Sequence, residues 1–80
     1  MQYRDSLRLT YDMMALLRDG PMLRTRLMTD VRTSYKVYRK RFIFLMNKGL
    51  IEECDDMDKS IQLTELGWKF IRNYEALTLK

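Results

Sequence analysis

Ser34-Tyr35-Lys36-Val37-Tyr38-Arg39-Lys40-Arg41-Phe42-Ile43-Phe44-Leu45-Met46-Asn47-Lys48-Gly49-Leu50-Ile51-Glu52 changes its apolar period partway along. Up to Lys48 the spacing is helical. Tyr38, Phe42 and Leu45 fall on one face, flanked by Tyr35 and Met46. Lys36, Lys40 and Asn47 fall almost opposite, with Arg39 and Val37 on the two flanks. Thr33 or Ser34 can cap the start, since either oxygen can accept an amide of the first turn. Gly49 is suited to the position just past the helix, where a left-handed backbone is needed. Lys48 lies favourably at the negative end of the helix dipole. Beyond Gly49 the pattern becomes that of a strand. The stretch predicts a helix over 34–48 feeding a strand over 50–54.

The rest of the chain is placed by working outward. A second strand is expected over 60–63, and the polar run Asp55-Asp56-Met57-Asp58-Lys59 makes the connection a hairpin loop. Thr64 can cap a last helix over 65–77, with Leu66, Phe70, Ile71, Tyr74 and Leu77 on its apolar side. Upstream, Leu23, Leu27, Met28 and Val31 predict a short helix from Met22 or Leu23 to Asp30. Before it, Leu9, Met13, Leu16 and Leu17 predict a first helix from Asp5 to Arg18, with Asp5 or Ser6 as its cap. Asp19-Gly20-Pro21 would end it. The order is helix, helix, helix, strand, strand, helix. Two strands cannot form a stable sheet alone, so the hairpin must lie on the helices. The fold class is α+β, a winged helix-turn-helix with a two-stranded antiparallel wing.

Eighty residues allow one domain, over 1–80, and 46% of them are apolar, enough for a folded globule. A chain this small has little stability in reserve. One Cys and no His leave neither an internal disulfide nor a zinc site to help it. Self-association is the remaining source. No cofactor or metal is expected: Asp55, Asp56 and Asp58 lack the glycine and distal glutamate of a calcium loop. Cys54 reads as a small buried hydrophobe rather than a reactive thiol, with an intermolecular disulfide as the alternative. No signal peptide and no apolar run of membrane-spanning length is visible, so a cytoplasmic location is expected. Without His, a nucleophile–base pair or a glycine-rich phosphate loop, the chain is not expected to be an enzyme.

Charge points to the partner. The net charge is +4, and it is unevenly spread. Seven cations (Arg24, Arg26, Arg32, Lys36, Arg39, Lys40, Arg41) lie between Arg24 and Arg41, with Asp30 as the one acid. From Glu52 to Asp58 there are five acids and no base. A charge run is often only a solvated face, but this one has few acids beside it and coincides with the helix that a helix-turn-helix presents to DNA. Double-stranded DNA is the expected partner. Ser34, Tyr35, Lys36, Val37 and Lys40 would approach the major groove, the lysines donating to guanine and Val37 meeting a thymine methyl. Tyr35 could equally be a core-edge residue. Arg39 and Arg41, with Arg24, Arg26 and Arg32, would hold phosphates. The acidic wing would be repelled by DNA, so it is either held away from it or faces a basic surface on another molecule; the alternative function is a winged-helix protein-protein interaction module using the acidic wing and the last helix. Trp68, Ile71, Tyr74 and Leu77 on the last helix are expected to build a homodimer, which would present two reading helices to two half-sites.

Two segments carry a family likeness. Ser34-Tyr35-Lys36 through Tyr38, Phe42, Leu45 and Met46 into Lys48-Gly49-Leu50-Ile51-Glu52 resembles the third helix and wing entry of the archaeal ArnR-like winged helix-turn-helix DNA-binding family. Leu63-Thr64-Glu65-Leu66-Gly67 followed by Phe70 is similar to that family's entry into the last helix. Thr33 and Arg41 stand where such proteins often carry Leu and an aromatic residue. The resemblance implies transcriptional control, often as a dimer, in an archaeon or an archaeal virus or plasmid. It assigns DNA contact to Ser34, Tyr35, Lys36 and Lys40, supported by Arg39 and Arg41.

Overall fold

The computed structural model describes residues 6–78. Its elements are α1 (Ser6–Ala15), α2 (Arg24–Val31), α3 (Tyr35–Asn47), β1 (Ile51–Glu53), β2 (Ile61–Leu63) and α4 (Glu65–Thr78). The expected order holds, and the fold is a winged helix-turn-helix. Asp5, the alternative cap of the first helix, lies outside the described residues.

α1 sits at the centre. It packs against α2, α3 and α4, so apolar residues are needed around most of it. Met13 and Met14 have no exposure, and Tyr11 and Thr10 are also buried. The sequence expectation had a narrower apolar side and missed Tyr11 and Met14. Leu7 is exposed. The helix also stops earlier than expected, at Ala15. From there the chain tightens: the amides of Leu17, Arg18 and Gly20 each reach back three residues, to Met14, Ala15 and Leu17. Tyr11 donates its hydroxyl to Glu75 at 2.7 Å and stacks on Tyr74 with ring centroids 4.5 Å apart. Arg18 pairs with the same Glu75. These contacts fasten α1 to α4.

Met22 does not begin a helix, as the sequence suggested. It forms an antiparallel bridge to β2. Its amide donates to the Ile61 carbonyl at 2.9 Å, and Ile61 returns the bond at 2.7 Å. β2 therefore has a partner on both edges, with β1 on the other side in the register Ile51↔Leu63, Glu52↔Gln62, Glu53↔Ile61. A lone hairpin is marginal in water. Here Ile51, Ile61, Leu45, Leu27 and Ile71 close one core beneath it, all almost wholly buried.

The hairpin loop is organised by Asp56. Its carboxylate accepts the Ser60 amide at 3.1 Å, and its carbonyl accepts the Lys59 amide at 3.3 Å. Cys54 flanks the loop, half-buried and unbridged. Burial, then the carboxylates of Asp56 and Glu52, push its thiol up from the usual value. That disfavours the thiolate and fits an inert side chain.

α3 starts and stops as its sequence dictates. The Ser34 hydroxyl accepts the Val37 amide at 3.3 Å. At the far end Gly49 has a φ of 71°, and the Gly49 and Leu50 amides close on the Met46 and Leu45 carbonyls at 3.1 and 3.0 Å. This is the paired closure of a Schellman motif. Thr64 then joins this exit to α4. Its hydroxyl donates to the Gly49 carbonyl at 2.6 Å and accepts the Gly67 amide at 3.0 Å.

α4 is rotated from the expected phase. Gly67 and Ile71 face the core, Phe70 and Tyr74 are half-buried, and Leu66 and Leu77 are exposed. The reason is Gly67. Its missing side chain lets the helix approach the Leu50 carbonyl, and that approach fixes which face turns inward.

Candidate nucleic-acid interface

The turn between α2 and α3 sets the angle of the presented helix. α2 ends on Arg32 in the left-handed region, with a φ of 55°. That conformation costs a side-chain-bearing residue about 1–2 kcal/mol. Ser34 returns the backbone to extended geometry and caps α3. Tyr38, expected in the core, is buried and leans its ring toward Phe42, with centroids 5.7 Å apart. Its hydroxyl donates to the Arg24 carbonyl at 3.2 Å, which ties α3 to the first turn of α2.

Burial raises the Tyr38 phenol above its ordinary value near 10, the Arg24 charge opposing and Tyr35 adding to it. The unfolded phenol therefore ionises first as pH rises. Stability is full below about pH 10 and falls from there until the folded phenol also ionises. Tyr38→Phe should remove this alkaline loss and cost about 1 kcal/mol at neutral pH, through the lost hydrogen bond. Urea melts at pH 7 and at pH 10.5 measure both effects. An unchanged alkaline slope would assign the loss to other groups.

The outward face of α3 carries Lys36, Arg39 and Lys40, all exposed. None of the three has an acidic partner among the described residues. Lys36 lies in the first turn, where α3 has no acid to balance the positive end of its dipole. Tyr35 is 64% exposed, which settles its placement: it projects from the helix start instead of lining the core. Val37 and Ile43 are also exposed.

The other cations are less available than their sequence neighbourhood suggested. Arg24 pairs with Glu53 of β1, and its guanidinium lies over the Phe42 ring at 5.1 Å. Arg26 pairs with Asp30 at 3.0 Å. The expectation that these residues have almost no acids to pair with is therefore corrected for both. Glu53 is distant in sequence and reaches Arg24 only through the fold. Arg41 is half-buried beside the Phe44 ring, 4.7 Å from its centroid, and its Nε is buried without a hydrogen-bond partner. Arg32 is exposed at the turn. The two ion pairs lie at half-exposed side chains, where such pairs contribute at most about 1 kcal/mol and exchange partners readily.

The wing tip has the opposite sign. Asp55, Asp56 and Asp58 are exposed around Met57, which is 99% exposed. Among the described residues no cluster of acids, Cys or His is arranged to hold a metal. No described helix is long and apolar enough to cross a membrane.

A family model described as winged helix-turn-helix matches residues 3–80. The chain belongs to that family. No curated protein and no solved structure matched the chain. Winged helix-turn-helix domains are generally DNA-binding and regulatory, and typically not enzymes. In this winged helix-turn-helix protein, α2, the turn at Arg32–Ser34 and α3 are the helix-turn-helix, and β1, β2 and their loop are the wing. Of the residues singled out from sequence, Ser34, Tyr35, Lys36, Val37, Arg39 and Lys40 share the start and outer sides of α3. Arg24, Arg26 and Arg41 are engaged with other side chains. On α4, Trp68 and Leu77 are exposed, Tyr74 stacks on Tyr11, and Ile71 is 2% exposed in the chain's own core.

Proposed function

We propose that this winged helix-turn-helix protein is a sequence-specific double-stranded DNA-binding transcriptional regulator that seats α3 in the major groove. The observation that carries the reading is the set Lys36, Arg39 and Lys40 on the outer side of a capped helix, without acidic partners among the described residues. Phosphates along a groove supply the missing counter-charge. The α3 N-terminus adds free amides for one more phosphate. Arg32 supports the same surface from the turn. The likeness of the α3 and α4 entries to ArnR-like proteins supports an archaeal source, cellular or viral, and a cytoplasmic site of action.

A mixed-sequence duplex titrated over a range of salt tests this. Each phosphate contact contributes about 0.9 to the slope of log affinity against log salt. Three or four cations give a slope of roughly −3 per protomer. Absence of binding at low salt would remove the proposal. The Arg24–Glu53 pair makes a second expectation. Glu53→Gln frees Arg24 and removes an anion, so duplex binding should tighten about three-fold, with the salt slope steeper by about one. Equal affinity would mean that Arg24 stays away from DNA.

The regulator is proposed to act as a homodimer through α4. Leu66 and Leu77 are exposed, and with half-buried Phe70 they lie along one side of the helix at a spacing suited to helix pairing. Ile71 serves the chain's own core and Tyr74 stacks on Tyr11 and Phe70, so Leu66 joins Leu77 in the proposed contact, with the exposed edge of Phe70 beside them and Trp68 on the opposite side of the helix. Sedimentation at micromolar concentration distinguishes monomer from dimer. A second reading is favoured by the wing alone: exposed Met57 among carboxylates suits a basic protein surface. Asp56 is held in the loop's own hydrogen bonds, which leaves Asp55 and Asp58 to make such a contact.

A further inference from the structure

On the cationic side of α3, one turn beyond Arg39 and Lys40, stands an exposed aliphatic residue. Ile43 is 45% exposed and has Lys36, Arg39, Lys40 and Tyr35 around it, the five lining a shallow depression of about 320 Å³. At about 100° of rotation per residue, Ile43 lies within roughly 20° of Lys36 and 60° of Lys40 on the helix surface. Val37, the other exposed aliphatic of α3, is roughly 120° away from Ile43, on the same side as Phe44. The two therefore lie on different sides of α3.

An isolated exposed isoleucine is ordinary. This one borders a charged patch, because Lys36, Arg39 and Lys40 precede it on the same side of α3 and line one depression with it. The surface that matches it must bring an apolar group inside a lattice of negative charge. The major groove of duplex DNA does so in one chemical form, the 5-methyl group of thymine between two phosphate backbones. We propose that Ile43 reads a thymine 5-methyl group, while the lysines and Arg39 around it take phosphates and neighbouring base edges. The inference rests on α3 being the reading helix. It moves the methyl contact from Val37, where the sequence pattern put it, to the residue that the fold sets among the cations.

The test uses the full chain and the duplex that it selects from a random pool. Each thymine in that duplex is replaced in turn by uracil, which deletes the methyl group and keeps every hydrogen bond. One replacement per half-site should weaken the parent protein by about three- to tenfold. Ile43→Ala should bind the thymine and uracil duplexes equally, with the parent's salt slope, and Val37→Ala should keep the parent's preference. Ile43 is exposed, so the variant should melt with the parent. If Ile43→Ala still prefers thymine as strongly as the parent, or if the parent tolerates every uracil, the inference is overturned and DNA binding stands. If the parent selects no duplex at all, the underlying reading falls with it.

Discussion

Lys36→Glu/Lys40→Glu should bind duplex DNA about a hundred- to a thousandfold more weakly than the parent, and should fold at least as well. Each lysine lost from a groove contact costs about 1–3 kcal/mol, and the reversal adds repulsion from the phosphates. The stability side of the prediction comes from the helix dipole. Lys36 occupies the first turn of α3, where a cation opposes the positive helix end and no acid compensates. A glutamate there is favoured by about 0.3–1 kcal/mol. Lys36 and Lys40 are also like charges one turn apart, which is mildly unfavourable, and the double reversal leaves that repulsion unchanged. Both residues are thus kept against local stability, and that is why a ligand is the better explanation for them. Titration against a labelled duplex and a thermal melt of the same sample read the two halves together. Binding within about threefold of the parent would place DNA elsewhere on the molecule.

Gly67→Ala should cost about 2–4 kcal/mol. For a chain of this size that lowers the melting temperature by roughly 10–25 °C. A Cβ at Gly67 would collide with the Leu50 carbonyl oxygen and come within 3.1 Å of Leu63 Cδ2. The carbonyl is not free to retreat, because it also accepts the Thr64 amide at 3.1 Å. Helix propensity works the other way, favouring alanine by about 1 kcal/mol, but it is smaller than the cost of displacing a held backbone. Gly49 is the contrasting control. Nothing lies within 4 Å of a Cβ there, and its φ of 71° is the whole obstacle. Gly49→Ala should cost only about 1–2 kcal/mol. If Gly67→Ala melts with the parent, the close approach of α4 to the Leu50 carbonyl is not the fixed joint described above.

The features that sequence made legible are those carried by single residues with one strong local role. Ser34 caps α3, Gly49 ends it, and Thr64 starts α4. Tyr38, Phe42 and Leu45 turn inward because a helix facing one layer needs one apolar side. The rest depended on neighbours distant along the chain. α1 touches three helices, so Tyr11 and Met14 are buried outside the side that periodicity marked. Met22 joins β2 through one residue, too few to show a strand period. α4 turns on a glycine contact, which hydrophobic spacing cannot register, and so Leu66 and Leu77 came out exposed. The cationic face was legible in composition. Arg26 with Asp30 and Arg41 with Phe44 are neighbours at helical spacing, but the engagement of Arg24 was not legible, because Glu53 and Phe42 meet it only once the chain has folded.

The double hydrogen bond of Thr64 makes a lever of the two long helices. One oxygen donates to the outlet of α3 and accepts from the inlet of α4, which couples the two helices. In a twofold pair joined along the last helices, the separation of the two DNA-facing ends would then be set by that small hinge rather than by the protein as a whole. Operators recognised by such a pair would tolerate little change in the distance between their halves, and loosening Thr64 would widen the tolerated spacings before it altered the bases preferred.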